Sequence, residues 1–354
     1  MTISAEERRD LILKAVGEAS GPLRLADLAA RLAIPAVTVR RDVAALAEAG
    51  RVGRSHGFVV RRTPEKPTDG ESGTRTLGLL VPSVGSYFDE LINGARAAAT
   101  AAGARLVLGI APYEARDDHT QAERLLESGL DGLLLAPNLL PGGPAQTHDW
   151  LDDLPVPAVL VERGAPEYGG PGAGLDSVGS DHRQGVLLAL RHFADLGHDR
   201  VLLAARGDSW TAREVRAGYQ HGTQLLGLAA LPVLDTLGDD GRPADSDRLA
   251  GLIADAVSDG VRAALIHNDQ DAIQLLPLLR ARGLAVPDDL ALIAYDDVFA
   301  ALAAPPLTAV APPTRAVGET AVGLLLRRLT AGPDLPVHRI SLLPALRVRT
   351  SCGG

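Results

Sequence analysis

Apolar positions in the first sixty residues recur at helical spacing in three consecutive segments. The pattern predicts a first helix over Glu6–Val16, a second around Leu28 and a third that starts at Pro35, because proline favours the first turn of a helix. Gly50 is placed to end the third helix. The positions that should face the core are Leu11, Ile12, Ala15, Val16, Leu25, Leu28, Leu32, Val39, Val43 and Leu46.

The chain beyond Gly50 is typical of a tight hairpin, with strands Val52–Arg54 and Phe58–Arg61 around the turn Ser55-His56-Gly57. Four arginines surround this turn, as a hairpin that contacts phosphates requires: Arg51, Arg54, Arg61 and Arg62.

The outward face of the third helix carries Arg40 and Arg41 beside small or methyl-bearing residues. Arginine pairs with guanine edges or phosphates, and methyl groups meet thymine. A helix of this kind followed by a basic hairpin predicts a DNA-binding domain over residues 1–62. The expected contacts are Val37, Thr38, Arg40, Arg41, Arg54 and His56. The alternative is a small helical domain whose arginines are only solvated.

Charge is distributed unevenly along the chain. Residues 1–63 hold eleven Arg or Lys against seven acids, a net charge of +4, so the remainder carries −13 of the total of −9. A basic head on an acidic body suggests a nucleic-acid module joined to something else. Residues 63–75, polar and rich in Pro and Gly, form the expected linker.

Residues 76–354 alternate apolar runs with helical segments. The predicted strands are Leu77–Val81, Arg105–Gly109, Gly132–Ala136, Ala158–Val161, Arg200–Ala204, Ala263–His267 and Leu290–Tyr295. The predicted helices are Tyr87–Ala102, His119–Ser128, Arg183–Leu196, Ala212–Leu226, Asp245–Ser258, Asp269–Arg282 and Arg315–Leu329. Such alternation predicts an α/β fold of two doubly wound parallel sheets, with a ligand between the lobes at the carboxyl ends of the strands.

Polar and aromatic side chains gather at those strand ends. The chain has eleven aromatic residues, and three of them, Tyr87, Phe88 and Trp210, fall there beside acids, an amide and arginines. This inventory suits a polyhydroxylated ring, whose apolar face stacks while its hydroxyls meet paired donors and acceptors. The candidate ligand contacts are Ser86, Tyr87, Phe88, Glu162, Arg163, Asp181, Trp210, Arg213, Asn268 and Asp296.

Several of these residues have a structural alternative. Asp269 and Asp297 could cap the following helices. Tyr87 or Phe88 could be core packing. Glu162 and Arg163 could form an internal ion pair.

Residues 8–57 resemble the winged helix-turn-helix of DeoR-type bacterial regulators. The matching residues are Leu28-Ala29, Thr38-Val39-Arg40-Arg41-Asp42, Gly50, Arg54 and His56-Gly57. Pro35 stands where that family usually has Ser, which removes a capping hydroxyl, and Phe58 replaces a second Gly.

Residues 76–354 resemble the effector core of LacI-type regulators, itself related to periplasmic sugar-binding proteins. The matching motifs include Leu77-Gly-Leu-Leu-Val-Pro82, Pro157-Ala-Val-Leu-Val-Glu-Arg163, Arg216-Ala-Gly-Tyr219, Asn268-Asp269 and Tyr295-Asp-Asp297. The resemblance implies that Asp181, Asn268 and Asp296 contact an effector, with Glu162-Arg163 beside them. It also implies a first lobe of about 76–180 plus 312–335 and a second of about 181–311 plus 336–354.

The chain departs from the LacI-type pattern in two places. Val215 occupies the position where that family usually carries an effector-binding Arg, with Arg213 and Arg216 on either side. Either Arg213 supplies the guanidinium or the ligand lacks the hydroxyls that the usual Arg would hold. The family's own headpiece and hinge helix are replaced by the DeoR-type domain, so a folding hinge helix is not the expected switch.

We therefore expect a cytoplasmic repressor that binds an operator in double-stranded DNA as a homodimer, under the control of a small sugar, polyol or nucleoside. No cofactor, metal or membrane partner is expected, because no signal-peptide core, membrane-length apolar run or metal motif is present and Cys352 stands alone. An enzyme acting on a sugar or sugar phosphate is the alternative, although no phosphate-binding Gly loop or nucleophile elbow supports it. A solute-binding protein for transport is a third class, which the basic head disfavours.

Overall fold

The computed structural model divides into two compact units, Met1–Gly73 and Thr74–Gly354. No helix among the described residues is long and apolar enough to cross a membrane. The residues that the structure describes are 5–18, 23–32, 34–35, 38–39, 41–43, 46, 52–55, 58–61, 74–83, 87–112, 118–138, 148–163, 170–237, 244–332 and 334–353.

The amino-terminal unit contains helices α1 (Ala5–Glu18) and α2 (Leu25–Leu32). Residues 38–39, 41–43 and 46 are also helical, in agreement with the predicted third helix. Strands β1 (Leu23–Arg24), β2 (Val52–Ser55) and β3 (Phe58–Arg61) form an antiparallel sheet in the order β1-β3-β2. The hairpin was predicted, whereas β1 was not, since a two-residue strand leaves no periodic signal.

The core of this unit joins buried apolar residues from all three helical segments, namely Ile12, Ala15, Val16, Leu28, Ala29, Ile34, Val39, Val43 and Leu46. Most of the predicted inward positions are therefore confirmed. Leu11 is a correction, because its side chain is 38% exposed. The buried positions of α1 follow an i, i+3, i+4 stripe from Ile12, and Leu11 lies at the edge of this stripe, about 100° from Ile12 and about 40° beyond Ala15.

In the second unit, the first lobe is built on a parallel six-stranded sheet. Its strands are β4 (Thr76–Val81), β5 (Arg105–Ile110), β6 (Gly132–Leu135), β7 (Ala158–Val161), β8 (Asp176–Ser180) and β14 (Arg339–Leu342), in the order β14-β8-β7-β6-β4-β5. Helices α3 (Tyr87–Ala101) and α9 (Thr314–Ala331) cover one face, and α4 (Asp118–Leu126) covers the other.

The second lobe has a similar sheet, in the order β10-β9-β11-β12-β13-β15. Its strands are β9 (Val201–Ala205), β10 (Leu234–Asp235), β11 (Ala263–His267), β12 (Ala291–Tyr295), β13 (Thr308–Ala311) and β15 (Ala345–Arg347), of which β15 alone pairs antiparallel. Helices α5 (His182–Asp195) and α6 (Trp210–Leu226) cover one face, and α7 (Ser246–Ser258) and α8 (Asp269–Ala281) cover the other.

Every predicted strand and helix of the body is present, with bounds within two residues of the prediction. The predicted fold class is confirmed. The central strands are buried on both faces, which explains their continuous apolar runs. In the first lobe, α3 and α9 cross closely at Gly94 and Gly318, where a Cβ would collide with the backbone of the other helix.

The chain passes between the lobes three times, from β8 to α5, from β13 to α9 and from β14 to β15. The assignment of 336–354 to the second lobe is therefore wrong for Arg339–Leu342, which pair in parallel with Ser177–Ser180 of the first lobe. The exchange was hidden in the sequence, because a strand of four residues whose exposure alternates carries no sign of which sheet it joins.

Candidate functional site

The third helical segment of the head presents Arg41 to solvent. Val39 and Val43 are 0% exposed and Leu46 is 4% exposed, so the inward face is as predicted. Thr38 is partly exposed and Arg41 is exposed. Val37, Arg40 and His56 lie outside the described residues, and Arg54 lies on β2, opposite Val59 of β3.

Asp42, which follows the two arginines, is a structural residue of the head. It is 3% exposed, accepts a hydrogen bond from Arg8 Nε at 2.9 Å and lies 3.6 Å from Arg9 Nε through its other oxygen. A buried carboxylate that lost these partners would be costly to keep in the core. The pair therefore joins α1 to the third helical segment and fixes the direction in which Arg41 points.

In the body, the predicted ligand residues meet at the carboxyl ends of the two sheets. Glu162 follows β7 and Asp181 follows β8, while Asn268 and Asp296 follow β11 and β12 of the second lobe. Tyr87 begins α3, after β4. Parallel strands deliver these groups to one edge of each sheet, as the pattern predicted. Ser86 lies outside the described residues.

Glu162 is held entirely by protein groups. It is 1% exposed, with a left-handed backbone (φ 51°), and accepts hydrogen bonds from Ser180 Oγ at 2.8 Å and Ser180 N at 3.2 Å. Its Oε2 also lies 3.3 Å from His182 Nε2. Burial opposes ionisation of this carboxyl, but the contacts to His182 and Ser180 outweigh it and lower its pKa below the usual value.

Arg163 supports the neighbouring loop. It is 3% exposed and donates to Pro137 O from Nε and to Glu162 O from Nη1, each at 2.7 Å. The bond to Glu162 reaches its backbone carbonyl, so the proposed ion pair between these two side chains is not seen. The Glu162 carboxylate is paired with His182 instead.

His182, Tyr295 and His267 form a buried group that the sequence reasoning did not single out as ligand or site residues. His182 Nδ1 lies 3.0 Å from the Tyr295 hydroxyl, and the His267 ring packs edge-on to Tyr295 with ring centroids 5.6 Å apart. Burial lowers the pKa of His267 to about 3, helped by the charges of His182 and Arg206. Only their positions could have indicated these residues, because each of them ends a strand or begins a helix next to a residue that was predicted to contact the ligand.

Asp296 of the second lobe and Tyr87 of the first lobe each have a buried polar atom. Asp296 is 6% exposed, has a left-handed backbone (φ 72°), and its Oδ1 has no hydrogen-bond partner in the structure. Burial raises its pKa well above the ordinary value, and the nearby Asp269 and Glu162 add to the effect. Burial also raises the pKa of Tyr87, and the negative charges of Glu162 and Asp296 raise it further.

Two of the predicted ligand residues also cap helices. Asp181 accepts from Gln184 N at 2.9 Å at the start of α5, and Asn268 Oδ1 accepts from Asp271 N at 3.2 Å at the start of α8. Asp269 is not the cap of α8. Its carboxylate accepts from Phe299 N and Ala300 N.

Asp297 does not cap a helix either. It forms a bidentate ion pair with Arg349, with the two contacts at 2.8 and 2.9 Å. The neighbouring carboxylates at 296 and 297 thus have opposite environments, one without a partner at Oδ1 and one tightly paired.

Trp210, at the start of α6 in the second lobe, packs against the apolar cluster of the first lobe that contains Leu151 and Leu160. Arg213 lies over the Trp210 ring, with Cζ 5.4 Å from its centroid. Val215 is fully buried in the second-lobe core. Arg216 binds the carbonyl of Arg206 at 2.8 Å and Asp235 at 3.0 Å. Of the two flanking arginines, Arg213 is therefore the one beside the aromatic surface.

Phe88 is 5% exposed and belongs to the core under α3. Its placement supports the packing alternative, and Phe88 is not among the residues that line the two cavities described next.

Two cavities lie against these residues. One of about 750 Å³ is lined by Tyr87 and Asp296 together with Phe299, Pro312 and Arg347. A smaller one of about 300 Å³ is lined by Glu162, Asp181, His182, Trp210 and Arg339. The larger volume suits a small organic ligand. In the part of the chain that the structure describes, no group of three or more His, Cys, Asp or Glu side chains is arranged to hold a metal ion.

Comparison with known proteins identifies both units. Residues 8–65 match the model of the DeoR-like helix-turn-helix domain, and residues 190–352 match that of the periplasmic binding protein-like domain. The chain is 25% identical over 323 residues to an arabinose metabolism transcriptional repressor of Geobacillus stearothermophilus, covering 89% of this chain and 86% of that protein.

Solved structures agree. The complex of the transcriptional regulator CelR with cellobiose has a TM-score of 0.65 and 25% identity, covering 89% of this chain and 90% of that one. A regulatory protein of the LacI family from Chloroflexus aggregans has a TM-score of 0.66 and 21% identity over 78% of this chain and 98% of that one, which is evidence for the fold. The protein therefore joins a unit that matches the DeoR-like helix-turn-helix domain to a unit that matches the periplasmic binding protein-like domain, and along most of its length it is similar to a transcriptional repressor.

Proposed function

We propose that this protein is a DNA-binding transcriptional repressor of carbohydrate-utilisation genes, whose operator affinity is set by a small polyhydroxylated effector held between the two lobes. One observation carries the proposal. The same chain contains a helix-turn-helix unit with an exposed Arg41 and a two-lobed unit with a polar cavity between Tyr87 and Asp296. The similarity to repressors named for sugars supports a carbohydrate as the effector class.

The contacts of the cleft divide its candidate residues into two sets. Asp296 Oδ1 is buried without a hydrogen-bond partner in the structure, which is costly unless a ligand satisfies it. The Tyr87 hydroxyl is also buried, and it lies near Ser180, Glu162 and Asp296. Glu162 and Arg163, by contrast, are occupied by protein groups. We therefore assign direct effector contact to Asp296 and Tyr87, and a supporting role to Glu162 and Arg163. We also assign contact to Asn268 and Asp181 from their positions at the ends of strands, where each keeps one capping bond, and to Trp210 and Arg213 from the aromatic surface that they form.

Effector binding would act by fixing the angle between the lobes. The three chain crossings allow the lobes to rotate, and a ligand bound to Tyr87 of one and Asp296 of the other favours the closed form. In a homodimer, this closure would change the spacing of two recognition helices and so the affinity for two operator half-sites. The effector is bound and released unchanged, with no chemical step.

The test begins with a thermal-shift screen of the full chain against arabinose, cellobiose, other pentoses, hexoses and disaccharides, and nucleosides. Compounds that raise the melting temperature are then added to gel shifts with fragments of the source genome. We expect at least one fragment to be bound against competitor DNA and its affinity to change with a compound from the screen. The absence of specific binding to any fragment, with or without these compounds, would overturn the proposal.

A further inference from the structure

A series of polar contacts connects the first lobe to the second. It runs from Ser180 Oγ to Glu162 Oε1 (2.8 Å), from Glu162 Oε2 to His182 Nε2 (3.3 Å), and from His182 Nδ1 to the Tyr295 hydroxyl (3.0 Å). Glu162 ends a strand of the first lobe, while Tyr295 ends a strand of the second. His182 is the link between them: its Nδ1 is within hydrogen-bonding distance of the Tyr295 hydroxyl, while its Nε2 faces Glu162 Oε2 as a close charge contact without hydrogen-bond geometry.

The position of His182 makes this link sensitive to the angle between the lobes. It is the first residue of α5 and follows directly on the crossing from β8, so backbone rotation at residues 180–182 moves its ring relative to Glu162. The Tyr295 hydroxyl also lies 3.3 Å from the His182 carbonyl, which ties the same residue to the second lobe twice. Separation of the lobes would thus strain or break the contact to Glu162 first.

The residues that form these polar contacts are buried and tightly packed. His182 is 3% exposed and Tyr295 is 0% exposed. A Cβ at Gly185, one turn along α5, would lie 2.8 Å from the Tyr295 hydroxyl, so a glycine there lets the hydroxyl reach His182. A buried carboxylate has few alternatives when it loses a partner, because water cannot easily replace it.

We propose that His182 is a positioning residue that couples the lobes, holding Glu162 of the first lobe to Tyr295 of the second and so favouring the closed cleft. This inference rests on the proposed function only in supposing that closure matters. The contact itself is a property of the two-lobed unit and can be tested without DNA or sugar. Its prediction is that the effects of changing Glu162 and Tyr295 are coupled through His182.

The experiment measures the distance between the lobes in the full chain by double electron–electron resonance. Spin labels are attached at Arg96→Cys on α3 and Gln220→Cys on α6, both exposed positions, in a Cys352→Ser background that removes the single native thiol. The variants are His182→Asn, Glu162→Gln, Tyr295→Phe and the Glu162→Gln/Tyr295→Phe pair. His192→Asn, on the same helix as His182 but facing residue 352 rather than Glu162, is the matched control in the same Cys352→Ser background.

We expect each single variant to raise the open-to-closed population ratio by about tenfold, the order of magnitude of one buried polar contact. The Glu162→Gln/Tyr295→Phe pair should raise it by much less than the product of the single effects, and His192→Asn should leave it unchanged. If the effects of Glu162→Gln and Tyr295→Phe simply multiply, or if His182→Asn leaves the distances as in the parent, the proposal is overturned. If His182→Asn does not fold, the pair of Glu162 and Tyr295 variants still decides the question.

The outcome separates this inference from the proposed function. Uncoupled lobes with intact, sugar-dependent operator binding would overturn the role of His182 alone. Coupled lobes in a protein that binds no genomic fragment would leave the role of His182 in place and overturn the assignment as a repressor.

Discussion

The head and the body of this protein use their functional side chains in opposite ways. In the head, Arg41 is exposed while its neighbour Asp42 is buried against Arg8. In the body, Glu162 and Asp296 are buried and Tyr87 is partly buried, and the charges of the two carboxyl groups raise the pKa of Tyr87. A DNA-binding surface can therefore be identified from a motif of consecutive residues, whereas a buried cleft is defined by which polar atoms the fold leaves without partners.

The largest expected effect lies in the head. Replacing both Arg40 and Arg41 with Ala should weaken operator binding by at least about thirtyfold, because two arginine contacts to bases are lost and each contributes about 1–3 kcal/mol. Gel shift or fluorescence anisotropy with an operator fragment measures the loss. Effector affinity in the body should not change.

Arg96→Ala is the matched control for this pair, since Arg96 is an exposed arginine on α3 of the body. It should leave operator affinity within about twofold, the spread expected of surface changes. A parallel loss of effector affinity in the Arg40→Ala/Arg41→Ala variant would contradict the separation of head and body.

The next prediction contrasts two neighbouring carboxylates of the body. Asp297→Asn should lower stability by about 1.5–3 kcal/mol, because it removes a charged, bidentate contact with Arg349. Asp296→Asn should instead raise the melting temperature at neutral pH while weakening effector binding. Burial raises the pKa of Asp296 well above its ordinary value, so keeping it ionised in the folded state is costly.

The sign for Asp296 can be followed with pH. A carboxyl whose pKa is raised on folding costs nothing below the unfolded value near 4, and its cost grows as the pH rises through that value. The stabilising effect of Asp296→Asn should therefore shrink on acidification. Thermal melts of both variants between pH 7 and pH 4.5 test this. A destabilised Asp296→Asn variant at pH 7 would show that the carboxylate is satisfied after all.

The sequence predicted more of the fold than of the site. Buried strands such as Ala263–His267 can be recognised from uninterrupted runs of apolar residues. The bounds of the helices could be predicted from the helical spacing of apolar residues. The short strand Arg339–Leu342 was placed in the wrong lobe, since its sheet is decided by pairing with Ser177–Ser180. In the site, strand ends located Asp296 and Glu162 correctly, but no pattern could show that Glu162 is bound by Ser180 and His182 while Asp296 Oδ1 stays without a partner.

The smallest predicted effect concerns His267 and separates the two regions by pH. Its pKa falls to about 3 on folding, from about 6.5 in the unfolded chain, because burial disfavours the charged ring. A lowered histidine pKa gives stability that is complete above pH 6.5 and is lost as the pH falls toward 3, at about 1.4 kcal/mol per unit. His267 should therefore lower the free energy of unfolding of the body by about 2 kcal/mol at pH 5 relative to pH 7.

His267→Gln should reduce this loss between pH 7 and pH 5, as measured by urea unfolding at each pH, whatever its effect on absolute stability. His221→Gln, at an exposed position of α6, should retain the slope of the parent protein. Arginine stays protonated throughout this range, so the contacts of the head should not weaken with it. An unchanged slope in His267→Gln would mean that the buried ring does not set the acid sensitivity of the body, and that the contrast with the head lies in exposure rather than in titration.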